Sequence, residues 1–387
     1  MPDSVLTEQI VALEQQLGNL THLLAGVEWP GAQLDAVRLD IERSIRTQAQ
    51  ALARVKNETG AGAPIPASWK RFYDVQQASS ALFSEALALS SSALARRRGL
   101  DNGLCRIADA LLRQLSARAS ISWNRFTTVA DGEFLGTLGQ IIRLRFPENN
   151  IWNLPIAAHE FGHFVGPQLG DRIRGQPPEY PFRRMLEDEV RDGPMAPMVL
   201  HERFADLFAT YSLGPAFAWA CLRLRFNPRL AYLPDDQHPP DAERAYAILR
   251  TLCTMNDEDP NKPLSLIVRD IETAWLAAMT AAGCALELWQ RLPAKIDSIH
   301  DKLYNLLTRH TNQQLNLLRN GDWQTAQLQY AKWRNQWQDN QPLQSSAGDG
   351  SLTLTAILNA AWLFRAYSPD MAEQVGRAAQ AMLEEAS

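Results

Sequence analysis

Leu6, Ile10, Leu13, Leu17, Leu20 and Leu24 recur at alternating spacings of four and three, the a/d seam of a coiled-coil-like helix. EWPGAQ breaks the seam. Leu34, Val37, Ile41, Ile45, Leu52 and Val55 then form a second amphipathic run, so the pattern predicts an N-terminal helical hairpin. TGAGAPIPAS at 59–68 has the composition of a linker, and the Ala-, Leu- and Arg-rich stretches over 70–98 and 101–118 predict two more helices. The character changes at 121–147, where ISWNRFTTVA and GQIIRLRFP are β-branched and aromatic around the turn Asp131-Gly132, which predicts two strands. A helix is expected over 153–166 and another over 197–213, with the Pro-rich QPPEYP between them and a break at Gly214-Pro215. From 241 the pattern is helical to the C-terminus, apart from the polar QPLQSSAGDGS. The expected class is α+β and predominantly α-helical. It divides into an N-terminal helical region 1–98, a core 99–258 carrying the small sheet, and a C-terminal helical region 259–387.

Composition narrows the function classes. The chain has 387 residues, 46% of them hydrophobic and 21% charged, with a net charge of -5, as in an ordinary globular protein. That charge argues against a phosphate-tracking surface and hence against nucleic acid. Arg96, Arg97 and Arg98 precede Gly99, where cations complement a helix C-terminus. MPDSVLTEQI has no secretory pattern, and AWLAAMTAAGCALELWQ at 274–290 is broken by Glu287 and shorter than the roughly 20 apolar residues a membrane span needs. The expectation is a cytoplasmic protein with no membrane partner. The four cysteines (Cys105, Cys221, Cys253, Cys284) show no CxxC spacing, so a metal would have to be held by His and carboxylate.

Such a set is present. NLPIAAHEFGHFVG at 153–166 contains HExxH. On a helix, His159 and His163 stand one turn apart on one side and can reach one ion. Leu154, Ala157, Ala158, Phe161, Phe164 and Val165 share the opposite sector, away from His159, Glu160 and His163. Catalytic zinc takes three protein ligands and keeps a fourth position for water, so two histidines require a third partner. LHERFADLFATYSLG at 200–214 offers Glu202 and Asp206 on one face, flanked by Ala205 and Ala209 and opposite Leu200, Phe204, Leu207, Phe208 and Tyr211. The small residues would let another helix come close. Glu202 is read as the third ligand, and Asp206, one turn on, as an acceptor fixing the tautomer of a ligand histidine, His159 being the first choice.

HEFGH followed by ERFAD resembles the gluzincin metallopeptidases, in which HExxH is completed by a glutamate with an aspartate four residues later. ERFADLFA is also similar to the ImmA-like intracellular peptidases. QHPPDAERA at 237–245 resembles the THPP segment followed by Arg-Ile in HtpX-like and CAAX-processing peptidases, with Gln237 in place of Thr and Ala245 in place of Ile. These motifs cover only about 25 residues. The resemblance implies a zincin-like core, one Zn2+ per chain held by His159, His163 and Glu202, and hydrolysis of a protein or peptide with Glu160 as general base. It also implies that IIRLRF is the edge strand that pairs with an extended substrate. A donor for the oxyanion is needed from outside the two helices. His238, in the HPP turn, is preferred to Tyr180 and Tyr246, Tyr211 is expected in the core, and His201 beside Glu202 points elsewhere. His22, His300 and His310 need no function.

The alternative is a non-catalytic zincin-fold binding or sensor module. It would meet a protein partner through the flanking helices and through Trp275, Trp289, Trp323, Trp333 and Trp337, residues whose ordinary role is helix packing. A zinc hydrolase acting on a non-peptide amide shares the same motif.

Overall fold

A computed structural model describes residues 4–27, 34–132, 134–136, 140–145, 150–170, 179–189, 196–234, 238–311, 313–343 and 352–387. The chain is predominantly helical with one small sheet, and it divides into two compact units. One comprises Met1–Cys105 with Asn124–Pro147, the other Arg106–Trp123 with Glu148–Ser387. Residues 124–147, grouped in the sequence with 99–258, thus belong with the N-terminal helices.

In the first unit α1 (Ser4–Ala25), α2 (Leu34–Gly60) and α3 (Ile65–Arg97) pack side by side. The two heptad-like seams become its core. Leu6, Ile10, Leu13, Leu17, Leu20 and Leu24 of α1 are buried with Val37, Ile41, Ile45, Leu52 and Val55 of α2 and with Phe72, Leu82 and Leu89 of α3; the Leu34 side chain lies outside the described residues. The composition-based linker 59–68 is consumed by helix ends. Gly62 adopts φ 84°, Ala63 N donates to Glu58 O at 3.0 Å, and α3 restarts at Ile65 with Pro66 in its first turn, where a missing N–H costs nothing.

The two expected strands form as β1 (Thr127–Ala130) and β3 (Ile142–Arg145), joined by a two-residue β2 (Phe134–Leu135). The order is β1-β3-β2. β1 runs parallel to β3 with Thr127 opposite Ile142, and β2 is antiparallel to β3. β3 is therefore the central strand of the sheet, which corrects the reading of IIRLRF as an edge. Its backbone is already bonded on both sides at Ile142 and Arg143. Arg96 does more than complement a helix end, since its guanidinium donates to Thr127 O of β1 at 2.7 Å.

The second unit takes α4 (Leu104–Ala119) from Arg106 onward, then α5 (Ile156–Val165), α6 (Pro181–Glu189), α7 (Ala196–Leu213), α8 (Pro215–Ala220), α9 (Asp241–Asp257), α10 (Ser265–Ala281), α11 (Leu286–Trp289), α12 (Leu292–His310), α13 (Asp322–Gln338), α14 (Leu354–Tyr367) and α15 (Ala372–Ala386). α14 is buried from Leu354 to Phe364, as a helix apolar on all sides must be. Its polar interior residue Asn359 holds the break between α7 and α8. Asn359 Nδ2 donates to Leu213 O at 2.9 Å and to Thr355 O at 3.0 Å, and its Oδ1 accepts from Ala216 N at 3.1 Å. The last carbonyls of α7 and the first amides of α8 thus gain a partner that a helix end lacks. Gly214 makes the break possible with φ 56°.

Trp275, Trp289, Trp323 and Trp333 are buried, and Trp337 is 42% exposed. Four of the five tryptophans weighed as a working surface are core. QPLQSSAGDGS lies largely outside the described residues. Among the described residues, no helix is long and apolar enough to cross a membrane.

Candidate metal centre

α5 is only ten residues long, and its neighbours set its position. Ala157, Ala158, Phe161 and Val165 are fully buried, and Trp123 meets Phe161 and Phe164 edge-on at 5.2 and 4.8 Å. Its other flank meets α7. An added Cβ at Gly162 would stand 2.8 Å from the Cα of Ala205, so the two backbones touch where each sequence offers its smallest side chain. On α7 Leu200, Phe204, Leu207, Phe208 and Tyr211 are buried on the side opposite the acidic pair.

That approach brings the polar faces together. Glu202 Oε2 lies 3.2 Å from His159 Nε2, and Glu202 Oε1 lies 3.3 Å from His163 Nε2. One ligating atom each from His159, Glu160 and His163 falls within 4.8 Å of the others. A tetrahedral cation bound at ~2.0–2.1 Å separates its ligand atoms by roughly 3.3 Å, a spacing that the contacts of Glu202 with the two imidazoles match, as they also match direct ion pairs. Glu202 Oε2 and His159 Nδ1 are, in addition, buried atoms without a hydrogen bond. A buried acceptor left in that state is costly, and a cation between Oε2 and the imidazoles would satisfy it. Two imidazoles and a carboxylate are donors suited to zinc. The residues present fit the ion.

Asp206, 1% exposed, places Oδ1 2.9 Å from His159 Nδ1, close but not aligned as a hydrogen bond. With only these side chains to satisfy one another, burial pushes the His159 imidazolium down, but Asp206 and then Glu202 outweigh it and raise its pKa to about 10. Burial likewise opposes ionisation of Glu202, yet the two imidazoles hold its carboxyl well below the usual range. Asp206 is also held low against burial, chiefly by Arg244 and then by His159.

Arg244, on α9, carried no assignment in the sequence. Its Nε and Nη2 donate to Asp206 Oδ2 and Oδ1, each at 2.8 Å, and Nη2 stands 3.8 Å from Glu202 Oε2. The only signal for it was its place in the QHPPDAERA segment. Arg203 of α7 donates to Glu243 of the same segment at 2.9 Å, and Lys295 of α12 bonds Glu243 from the other side, which ties α9 to α7 and α12.

His238 approaches the cluster, with Nε2 3.9 Å from Glu202 Oε2 and its side chain 36% exposed. Gln237 lies outside the described residues. His201 packs against His163 and Phe182 at 5.6 and 5.1 Å between ring centroids, and burial, then His163, depresses its pKa to about 4. Tyr211 is buried against Tyr304. Tyr246 donates to Asp297 Oδ1 at 2.8 Å, and Tyr180 lies under the Arg183 guanidinium at 4.4 Å. His159, Glu160, His163, Glu202, Asp206 and His238 are therefore in one cluster, with Arg244 behind it. Comparison of the chain with family models, with curated proteins and with solved structures finds no match.

Proposed function

We propose that this chain is a zinc-dependent intracellular metallopeptidase with a zincin-like core of gluzincin type. The observation that carries the reading is the position of Glu202. It comes from a separate helix, yet presents one oxygen to each imidazole of the HExxH pair, at 3.2 Å to His159 and 3.3 Å to His163. A chance surface motif gives no reason for a second helix to bury a carboxylate there, because burying an ionised group without a compensating partner is expensive.

Zinc, when bound by His159, His163 and Glu202, polarises a carbonyl oxygen and makes water acidic enough to be deprotonated near neutral pH. Glu160 adjoins these ligands and is left free to take the proton from the attacking water and deliver it to the leaving amine. A purely structural site has no use for that carboxylate. His238 stands near enough to donate to the oxygen on which charge develops.

The test is metal analysis of the purified chain together with cleavage of proteins in a lysate followed by mass spectrometry. About one zinc per chain is expected, lost in His163→Ala. Glu160→Gln should keep the zinc and abolish cleavage. A Glu160→Gln chain that cleaves as fast as the wild type would overturn the mechanism, and a wild type that takes up no zinc would overturn the site.

A further inference from the structure

We infer that Arg244 is a positioning residue of the metal centre: by gripping both oxygens of Asp206 it fixes the carboxylate that stands against His159 Nδ1, and so holds the imidazole with Nε2 turned toward Glu202. The inference rests on the reading of His159 as a ligand.

The grip is specific in shape. The planar guanidinium meets the carboxylate with two parallel contacts of 2.8 Å, Nε to Oδ2 and Nη2 to Oδ1, the geometry in which arginine exceeds lysine. Both side chains are enclosed, at 11% and 1% exposure. The guanidinium is also backed by the Phe226 ring, 5.1 Å from its centroid. Water is thus poorly placed to substitute for either partner.

The consequence passes to the next residue. A carboxylate turns easily about its terminal bond, and only one orientation leaves Oδ1 2.9 Å from His159 Nδ1. With Nδ1 held against that carboxylate, the opposite ring nitrogen is turned into the cluster. That nitrogen, Nε2, is the one 3.2 Å from Glu202. Arg244 Nη2 also forms an ion pair with Glu202 Oε2 at 3.8 Å, without a hydrogen bond, so the double variant below is what separates its hold on Asp206 from its pull on the ligand.

The experiment uses the full chain as wild type, Arg244→Gln, Asp206→Asn and the double variant. The readouts are zinc affinity by competition with a chelator and the solvent-exchange rate of the His159 Nδ1 proton in the 15N-labelled, zinc-free chain. Arg244→Gln is expected to weaken zinc binding about tenfold or more and to speed Nδ1 exchange. Arg244→Lys, which keeps charge but not the fork, should remain weakened. The double variant should bind zinc within about twofold of Asp206→Asn alone, because Arg244 acts through Asp206. A merely structural role would lower the melting temperature and leave proton exchange unchanged. The inference is overturned if the two losses add in full, or if Arg244→Gln matches the wild type in affinity and exchange. Should Arg244→Gln not fold, the double variant, which buries no uncompensated carboxylate, decides by the same comparison with Asp206→Asn. If the wild type takes up no zinc, the metal reading falls, and the exchange rates still decide the role of Arg244.

Discussion

Gly162 of α5 faces Ala205 of α7 with no room for a methyl group: a Cβ there would meet the Ala205 Cα at 2.8 Å and its carbonyl oxygen at 3.2 Å. Glycine inside a helix costs about 1 kcal/mol relative to alanine, so its presence between His159 and His163 needs a reason, and the helix contact supplies one. Gly162→Ala should push the helices apart and destabilise the chain by about 1–3 kcal/mol as an overpacked contact. It should also weaken zinc binding, since the same contact sets the gap from Glu202 to the imidazoles. Denaturant melts and chelator competition test both, and Ala205→Gly in the same chain should recover little, because the Cα and carbonyl oxygen that the new methyl meets stay in place.

Zinc itself should add stability, since an ion that binds only the folded chain stabilises it by about 2.7 kcal/mol at a free concentration about one hundred times its dissociation constant. Chelation should therefore lower the melting temperature of the wild type. In Glu202→Ala, which removes the carboxylate bridging both imidazoles, the shift on chelation should be small. Equal shifts in the two proteins would place any bound zinc elsewhere.

The α7–α8 break should depend on a residue far away in sequence. Asn359→Ala leaves Ala216 N–H without its acceptor and Leu213 C=O without its donor, at about 1–3 kcal/mol for each buried group stranded. A destabilisation confined to about a few tenths of a kcal/mol in urea titration would show that these groups find other partners.

His300 predicts a pH dependence remote from the metal cluster. Its ring is 3% exposed, with Nε2 2.9 Å from Thr251 Oγ1, and burial, opposed by Asp301, lowers its pKa below the ordinary 6.5. On acidification the unfolded chain takes up this proton first, so stability is lost as pH falls from about 6.5 toward the folded value, and none of it is lost above that range. In His300→Gln the fall in urea midpoint between about pH 6.5 and 5 should be shallower than in the wild type.

What could be read from the sequence was local. The seam of Leu6 to Leu24 and the one-turn spacing of His159 and His163 follow from helical periodicity, and so does the phase of Glu202 and Asp206 on α7. The two strands were visible in their β-branched runs, but their parallel pairing and the central position of β3 depend on which segments meet, and no local pattern encodes that. Residues 59–68 illustrate a different limit, because Gly and Pro there serve as helix ends and not as a spacer. The partner of Arg244 was illegible for a third reason. A lone arginine on an amphipathic helix has the same local signature whether it meets water or a buried aspartate 38 residues upstream.

Asp206 and its counter-ion belong to separate stretches of chain, so the two-helix pair α5–α7 is not a portable module. Transplanted into another scaffold, it would carry all three proposed ligands and strand an ionised aspartate in the interior. Engineering this centre elsewhere would mean moving the first turn of α9 with it.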